Sequence, residues 1–327
     1  MQKVAMTNYT FESLQLEEEI LAPLGCKIVG QACRSEEELA ALVGDADYAI
    51  IQPPARLTAS VIAAMDKCRL IVRNGVGVDN IDLDAATEKG LPVCNIPDYC
   101  VDEVADHTMA FILALTRQLL PVCHRVREGA WGVVVPAEKL RVLHELKVGV
   151  VGFGRMGRAV AERLKAFKCQ VLVFDPGVDD AAIGALGGIS VPLEELIATS
   201  DVITLHCPST AQTRHIINRD SLAKMKDGVL IVNSARGDLI ETDDLIAGLE
   251  SGRVGGAALD IAEPEPITKD SPLLGMDSVI LTSHLAWASA GATERLRRYT
   301  AEAVARAIRG ERLLNVVNGI FEPRKAQ

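Results

Sequence analysis

The sequence lacks three kinds of pattern, and each absence excludes a class of protein. Its 327 residues contain no run of 18 or more apolar residues and no extended apolar signal segment at the start, so we expect no membrane association. Its eight cysteines form no C-x-x-C pair, which argues against a zinc or disulfide framework and for free thiols in a reducing compartment. No basic block interrupts a net charge of −10. We therefore expect a cytoplasmic protein that binds neither nucleic acid nor a metal ion.

The sequence instead contains a regular alternation of short apolar runs and helical patterns. A chain of 327 residues is long enough for two domains. The alternation is typical of an open, mostly parallel sheet, which binds its ligands beyond the carboxyl ends of the strands. In the first hundred residues the predicted strands are 4–6, 27–29, 48–51, 70–72 and 92–95, and the predicted helices are 11–21, 35–43, 58–65 and 83–89. Later strands are predicted at 201–205, 228–232, 255–259 and 279–282.

Residues 147–175 carry the most specific motif. An apolar run leads into G-x-G-x-x-G at Gly152, Gly154 and Gly157, and a helical pattern and a second apolar run ending on Asp175 follow. In this order the glycines allow a tight turn, the approach of a pyrophosphate and close packing of the helix, whose N-terminus favours an anion. Asp175 is placed to accept hydrogen bonds from a ribose 2′-hydroxyl and would repel a 2′-phosphate. The unit predicts dinucleotide binding, with NAD favoured over NADP.

Three polar side chains each follow a predicted strand, where an α/β sheet presents its site. They are Arg236, Glu265 and His284. Arginine offers a planar fork for a carboxylate or carbonyl oxygen, and histidine exchanges a proton near neutral pH while a carboxylate holds its tautomer. Beside a nicotinamide, this set fits the oxidation of an alcohol that bears a carboxylate. Taken singly, Arg236 is more simply interpreted as a surface salt-bridge partner, Glu265 as a solvated loop residue and His284 as a strand-end cap.

Two further stretches have more than one interpretation. In the loop 73–80, glycines on both sides of Val76 either form an amide nest for a carboxylate or only shape a turn. Residues 101–129 are helical and apolar over much of their length, so we expect them to be largely buried between domains or subunits, with a kink or break at Pro121. His107 in this stretch is expected to be a hydrogen-bonded core or interface histidine rather than a base.

Several stretches together resemble the D-isomer-specific 2-hydroxyacid dehydrogenase family over nearly the whole chain. They are NGVGVDNIDLDAA, NIPDYCVDEVADHT, VGVVGFGRMGRAVA, LHCP, VNSARGDLIETDDL, GGAALDIAEPEP and SHLAWAS. The resemblance implies a Rossmann NAD-binding domain, residues 101–288, inserted into a flavodoxin-like substrate-binding domain, residues 1–100 plus 289–327. Both would be doubly wound parallel sheets. It also implies a homodimer packed through the cofactor domains.

The resemblance implies a role for individual residues as well. His284 would be the general acid/base, supported by Glu265, and Arg236 would orient the substrate. The residues implied to contact NAD are Gly152, Gly154, Arg155, Met156, Gly157, Asp175, Cys207, Ser234, Ala235, Asp260 and His284. The residues implied to contact the substrate are Gln52, Val76, Gly77, Arg236 and Trp287.

The expected function is therefore an NAD-dependent reaction between a small D-2-hydroxy acid and its 2-keto acid. QPPARLT, RNGVGVDNID and HLAWAS look most like the branch that includes C-terminal-binding proteins and their bacterial relatives. Phosphoglycerate-type members commonly carry an arginine where Gln52 falls, and we expect no regulatory domain after residue 327, so phosphoglycerate is disfavoured. The alternatives are an NAD-sensing protein-binding module and a phosphoglycerate dehydrogenase without a regulatory domain. The physiological acid stays open.

Overall fold

The chain forms two parallel sheets, each in a unit of its own. A computed structural model describes residues 1–324. One unit comprises Met1–Cys100 together with the chain from Ser289 onward, and the other comprises Val101–Ala288. These boundaries equal those of the predicted domains, whose binding roles stay predictions. We call them unit 1 and unit 2.

The strands and helices alternate along the chain. The strands are β1 (Gln2–Thr7), β2 (Cys26–Gln31), β3 (Tyr48–Ile51), β4 (Leu70–Arg73), β5 (Val93–Cys94), β6 (Lys147–Val151), β7 (Gln170–Phe174), β8 (Ile189–Ser190), β9 (Val202–Leu205), β10 (Val229–Asn233), β11 (Val254–Leu259) and β12 (Val279–Leu281). The helices are α1 (Gln15–Leu21), α2 (Glu36–Val43), α3 (Ala59–Ala63), α4 (Leu83–Glu88), α5 (Val101–Thr116), α6 (Leu119–Arg127), α7 (Arg155–Ala166), α8 (Asp180–Ala185), α9 (Leu193–Thr199), α10 (Arg219–Lys224), α11 (Thr242–Glu250) and α12 (Ala290–Ile308). No helix within residues 1–324 is long and apolar enough to cross a membrane.

Unit 1 is a five-stranded parallel sheet with the order β2-β1-β3-β4-β5. This is the flavodoxin-like order, as predicted. Its helices begin where polar side chains cap them: Ser35, Thr58 and Asp82 each accept a hydrogen bond from a backbone amide in the first turn of α2, α3 and α4.

The C-terminal segment belongs to unit 1. Ser289 caps α12 by accepting a hydrogen bond from the Ala292 amide, and the buried face of this helix includes Leu296 and Val304. Beyond the helix the chain returns to the edge of the sheet, where Val316 forms an antiparallel bridge with Cys94. The first hundred residues therefore depend on the last ones to cover their sheet.

Unit 2 is a seven-stranded parallel sheet with the order β12-β11-β10-β9-β6-β7-β8. Six of these strands reproduce the doubly wound dinucleotide-binding order, and β12 extends it at one edge. Two separate clusters of buried apolar side chains cover its faces. The predicted Rossmann fold is therefore confirmed. The elements α8, β8, α9 and α10 were not assigned from the sequence.

The predicted helix at 101–129 is two helices, and the predicted position of its break is wrong. The chain breaks at Gln118, which has a φ of 50° in the left-handed region, and Pro121 lies in the first turn of α6. A proline is tolerated there because first-turn amides have no partner within the helix. α5 is largely buried, as expected, whereas α6 has no buried residue in this chain.

Candidate active site

The glycine motif forms the turn between β6 and α7. Gly152 has a φ of 93°, and a Cβ there would lie 2.5 Å from the Cys207 amide nitrogen. A Cβ on Gly157 would lie 2.1 Å from the Gly152 carbonyl oxygen, so this glycine is needed for the helix to pack. A Cβ on Gly154, in contrast, would meet no atom within 4 Å. The surface over Gly154 is therefore open at the N-terminus of α7, where an anion is favoured.

Asp175 follows β7 and closes the same turn. Its Oδ2 accepts a hydrogen bond from the Phe153 amide at 2.6 Å, and its Oδ1 accepts one from the Gly177 amide at 2.8 Å. The carboxylate is thus held at the end of the strand next to the glycine turn. Its predicted contact with a ribose remains a prediction.

The loops after β9 and β10 carry the next predicted contacts. Cys207 is buried, and burial raises the pKa of its thiol to about 11, so the group stays neutral. The Ser234 hydroxyl is 2.9 Å from the Thr108 hydroxyl on α5. Buried Asn233 holds the loop, since its side chain donates to the Arg236 carbonyl at 2.7 Å and accepts from the Ala235 amide at 3.0 Å. Sequence reasoning missed Asn233 and Thr108.

His284 and Glu265 meet in unit 2. Their Nδ1 and Oε1 atoms are 2.6 Å apart, and the side chains are 47% and 45% exposed. A carboxylate accepts a hydrogen at Nδ1, which leaves Nε2 of the imidazole to face a ligand. Arg236 follows β10, the neighbour of β11, and its Nη1 donates to the Ala235 carbonyl at 2.6 Å.

Asp260 organises the turn that carries the histidine. It is buried, and its carboxylate accepts hydrogen bonds from the Leu285 and Ala286 amides, each at 2.9 Å. Its carbonyl accepts one from the His284 amide at 2.8 Å. His284 has a φ of 55°, a left-handed conformation that few non-glycine residues adopt without support. The predicted NAD residue Asp260 therefore also fixes the backbone of the predicted base.

The loop 73–80 of unit 1, which was predicted to bind a carboxylate, is held by hydrogen bonds to its carbonyl groups. Val76 follows β4, and its carbonyl accepts a hydrogen bond from the Asn95 side chain at 2.6 Å. Gly75 has a φ of 139°, and its carbonyl accepts from the Ile96 amide at 2.9 Å. These two hydrogen bonds fix the backbone of the loop at Gly75 and Val76. The substrate contact of Val76 and Gly77 remains a prediction.

Gln52 is oriented by a chain of hydrogen bonds within unit 1. The Thr300 hydroxyl on α12 donates to Asn74 Oδ1 at 2.8 Å, and Asn74 Nδ2 donates to Gln52 Oε1 at 2.8 Å. Because the amide oxygen of Gln52 accepts, its Nε2 is left as a neutral donor. Asn74 and Thr300 were missed from the sequence. Partly buried Trp287 follows the His284 turn in unit 2, and its predicted substrate contact remains a prediction.

Comparisons with known proteins agree with this arrangement. A family model described as "D-isomer specific 2-hydroxyacid dehydrogenase, NAD binding domain" matches residues 109–286. D-3-phosphoglycerate dehydrogenase of Methanocaldococcus jannaschii is 39% identical over 87% of this chain and 54% of its own. Hydroxypyruvate reductase of Thermotoga maritima is 37% identical over 80% of this chain and 84% of its own.

A solved structure resembles the whole chain. D-lactate dehydrogenase from Aquifex aeolicus, complexed with NAD and lactic acid, is 33% identical with a TM-score of 0.86, covering 97% of this chain and 99% of that one. The present chain spans about half the length of the phosphoglycerate dehydrogenases it matches.

Proposed function

The chain belongs to the D-isomer specific 2-hydroxyacid dehydrogenase family, and from this premise we propose that it is an NAD-dependent oxidoreductase. It would interconvert a small D-2-hydroxy acid and its 2-keto acid. The observation that carries the proposal is the 2.6 Å contact between His284 Nδ1 and Glu265 Oε1, in the unit that also holds the glycine turn. Unit 2 would bind the cofactor and unit 1 the substrate.

The residues of unit 2 fit a dinucleotide. The open backbone at Gly154, next to the N-terminus of the twelve-residue α7, has room for a pyrophosphate. Arg155, Met156, Cys207, Ser234 and Ala235 would contact the rest of the cofactor. Asp175 would bind the ribose hydroxyls of NAD and disfavour a 2′-phosphate. Bound NADH supplies the hydride.

Three side chains of unit 2 would transfer the proton and orient the substrate. With its Nδ1 hydrogen donated to Glu265, His284 would give a proton from Nε2 to the keto oxygen, or remove one from the hydroxyl in the reverse direction. Glu265 stabilises the imidazolium through the same contact. Arg236 would place its planar fork on the carboxylate or carbonyl oxygen of the substrate.

The substrate we propose is a keto acid without a phosphate. Gln52 presents a neutral donor, whereas a phosphate is bound best by a cation. Relatives named hydroxypyruvate reductase and glyoxylate reductase, with 84% and 82% of their lengths covered, support a short acid. The names of the phosphoglycerate dehydrogenases support the alternative, phosphoglycerate. A Gln52→Arg variant tests the assignment, since the added cation should improve the kcat/KM for 3-phosphohydroxypyruvate relative to hydroxypyruvate.

The direct test is NADH oxidation by the purified chain with a panel of keto acids. Glyoxylate, hydroxypyruvate, pyruvate and 3-phosphohydroxypyruvate would be compared, with NADH and NADPH in parallel. His284→Ala and Arg236→Ala should lose turnover, while a change in fluorescence on addition of NADH should show that both variants still bind the cofactor. Turnover of no keto acid above the His284→Ala background would refute the proposal, and a clear preference for 3-phosphohydroxypyruvate would establish the alternative.

We also propose a homodimer formed through unit 2. Five apolar side chains on α6 and the segment after it are exposed in the single chain: Leu119 (54%), Leu120 (48%), Val126 (38%), Trp131 (90%) and Val133 (78%). Apolar surface of this kind is typical of an interface, and a second copy would cover it. Light scattering should give twice the chain mass, and Trp131→Asp should lower it toward the monomer. A monomeric wild type would contradict the proposal.

A cytoplasmic location is proposed on the state of the cysteines. All eight are free thiols, and only Cys123 is exposed. Unpaired thiols are typical of a reducing compartment. Fractionation of the source cells with an antibody to the chain would test the location.

A further inference from the structure

His107 lies on α5, close to Thr282 and to Asp260, which holds the turn that carries His284. Its Nε2 is 3.2 Å from the Thr282 hydroxyl and 3.9 Å from Asp260 Oδ1. Its ring meets Phe111 edge to face, with centroids 4.4 Å apart. The side chain is 20% exposed, so it is packed in place and does not depend on solvent for a partner.

The direction of the hydrogen bonds can be assigned. The Thr282 hydroxyl has one hydrogen, which it donates to Asp260 Oδ1 at 2.5 Å. The hydroxyl can therefore only accept from His107, so the imidazole carries a hydrogen on Nε2. The resulting chain runs from His107 through Thr282 to the buried carboxylate of Asp260.

Asp260 passes this restraint on to His284. Its carboxylate holds the amides of Leu285 and Ala286, and its carbonyl holds the amide of His284 in the left-handed conformation. With the Thr282 hydroxyl, the carboxylate has three donors, and Thr282 is the one whose side chain also contacts a residue on a helix, His107 on α5. Loss of that donor leaves Oδ1 with the Leu285 amide and Oδ2 with the Ala286 amide, so the carboxylate is held less firmly and can shift with the turn.

We propose that His107 is a positioning residue for the reaction. By donating from Nε2 to Thr282 it fixes the Asp260 carboxylate, and through it the backbone that aims His284. This inference rests on the proposed function, because it concerns the histidine assigned there to proton transfer. His107 itself exchanges no proton with the substrate.

The test compares variants that remove the donor with variants that keep one. His107→Phe and Thr282→Val each break the series of hydrogen bonds from His107 through Thr282 to Asp260. His107→Gln keeps an amide donor, and Thr282→Ser keeps the hydroxyl. Thr116→Val is the matched control, since this buried hydroxyl on α5 bonds only to carbonyls of its own helix. NADH binding, circular dichroism and kcat would be measured for each full-length chain.

We expect His107→Phe and Thr282→Val each to lower kcat by about 10- to 100-fold, because small misplacements of reacting groups carry penalties of this size. The kcat of the double variant should be no lower than that of the less active single variant, since both changes break the same series of hydrogen bonds. His107→Gln and Thr282→Ser should recover most of the loss, and Thr116→Val should match wild type. A purely structural role would instead lower thermal stability without this rescue pattern.

Two results would overturn the inference. One is a kcat for folded Thr282→Val within about twofold of wild type while wild type turns over a keto acid. The other is a ¹⁵N spectrum, assigned by comparison with His107→Gln, in which Nε2 of His107 carries no hydrogen. The spectrum needs no turnover, so it stands even if His107→Phe fails to fold. Absence of turnover in wild type would instead refute the proposed function and, with it, this inference.

Discussion

Replacing Arg297 by methionine should destabilise unit 1 severely. Arg297 on α12 donates from Nε and Nη2 to the two carboxylate oxygens of Glu17 on α1, at 2.7 and 2.6 Å. Its Nη2 also donates to the Ser13 carbonyl at 2.8 Å, and its guanidinium lies 4.4 Å from the centre of the Phe11 ring. The contact with Glu17 raises the pKa of Arg297, as expected for a close pair. The pair therefore fastens the C-terminal helix to the first one.

The magnitude follows from the unequal burial of the partners. The Glu17 side chain is 1% exposed and that of Arg297 is 16% exposed. Arg297→Met leaves a carboxylate buried without a partner, which costs about 3–5 kcal/mol. Loss of the contact with the Phe11 ring adds about 0.5–1 kcal/mol. Glu17→Gln should cost less, because the arginine keeps its ring contact and a route to solvent. A Glu17→Leu, Arg297→Met double variant should recover much of the loss.

Urea unfolding can follow each unit by its own fluorescence. All four tyrosines, Tyr9, Tyr48, Tyr99 and Tyr299, lie in unit 1, and both tryptophans lie in unit 2. The tyrosine transition should move to lower urea in Arg297→Met, by a free energy of about 3.5–6 kcal/mol from the midpoint and slope. A change below about 1 kcal/mol would refute the reasoning, since that is the scale of a surface pair. A double variant no more stable than Arg297→Met would do so as well.

Three further predictions concern unit 2. Gly157→Ala should lower the melting temperature measured by calorimetry, because its Cβ would lie 2.1 Å from a carbonyl oxygen. Gly154→Ala should fold normally and weaken NADH binding, which a fluorescence titration measures. Normal stability of Gly157→Ala would contradict the packing argument for that glycine. Glu265→Gln should lower kcat by about 100-fold with NADH affinity unchanged, as stopped-flow assays would show, and an unchanged kcat would contradict its role. Burial lowers the pKa of His206 from 6.5 to about 4, so the unfolded chain binds a proton that the folded chain excludes between these values. The free energy of unfolding should therefore fall by up to about 3 kcal/mol as the pH drops from 6.5 to 4, and chemical unfolding of a His206→Gln variant should show a smaller fall.

The fold followed from the sequence where a local pattern determines it. The strands 48–51 and 70–72 were placed within a residue because continuous apolar runs mark strands buried on both faces. β8 was missed because it has two exposed residues and no such run. The helix break was predicted at Pro121 because proline is the residue in this stretch that signals a break in the sequence. The break lies at Gln118, where a left-handed φ depends on the surrounding packing and leaves no sequence signal.

The residues of the candidate site could be proposed from the sequence, whereas the contacts that hold them could not. Arg236, Glu265 and His284 could be picked out because each follows a strand. Thr108 and Thr300 could not, since their partners lie 126 and 226 residues away and no spacing encodes such contacts. The hydrogen bonds by which Asp260 holds the turn that carries His284 likewise become visible only in the structure.

The return of the chain to unit 1 has a consequence for how the protein is made. A ribosome releases unit 2 as one continuous stretch, so it can fold as soon as it has emerged. The first hundred residues must wait, because α12 and the bridge from Val316 to Cys94 are synthesised after unit 2. During that interval the part of the first sheet and of α1 that α12 contacts has no cover, so the nascent chain exposes apolar surface that chaperones can bind. Translation of unit 1 thus begins before that of unit 2 and ends after it.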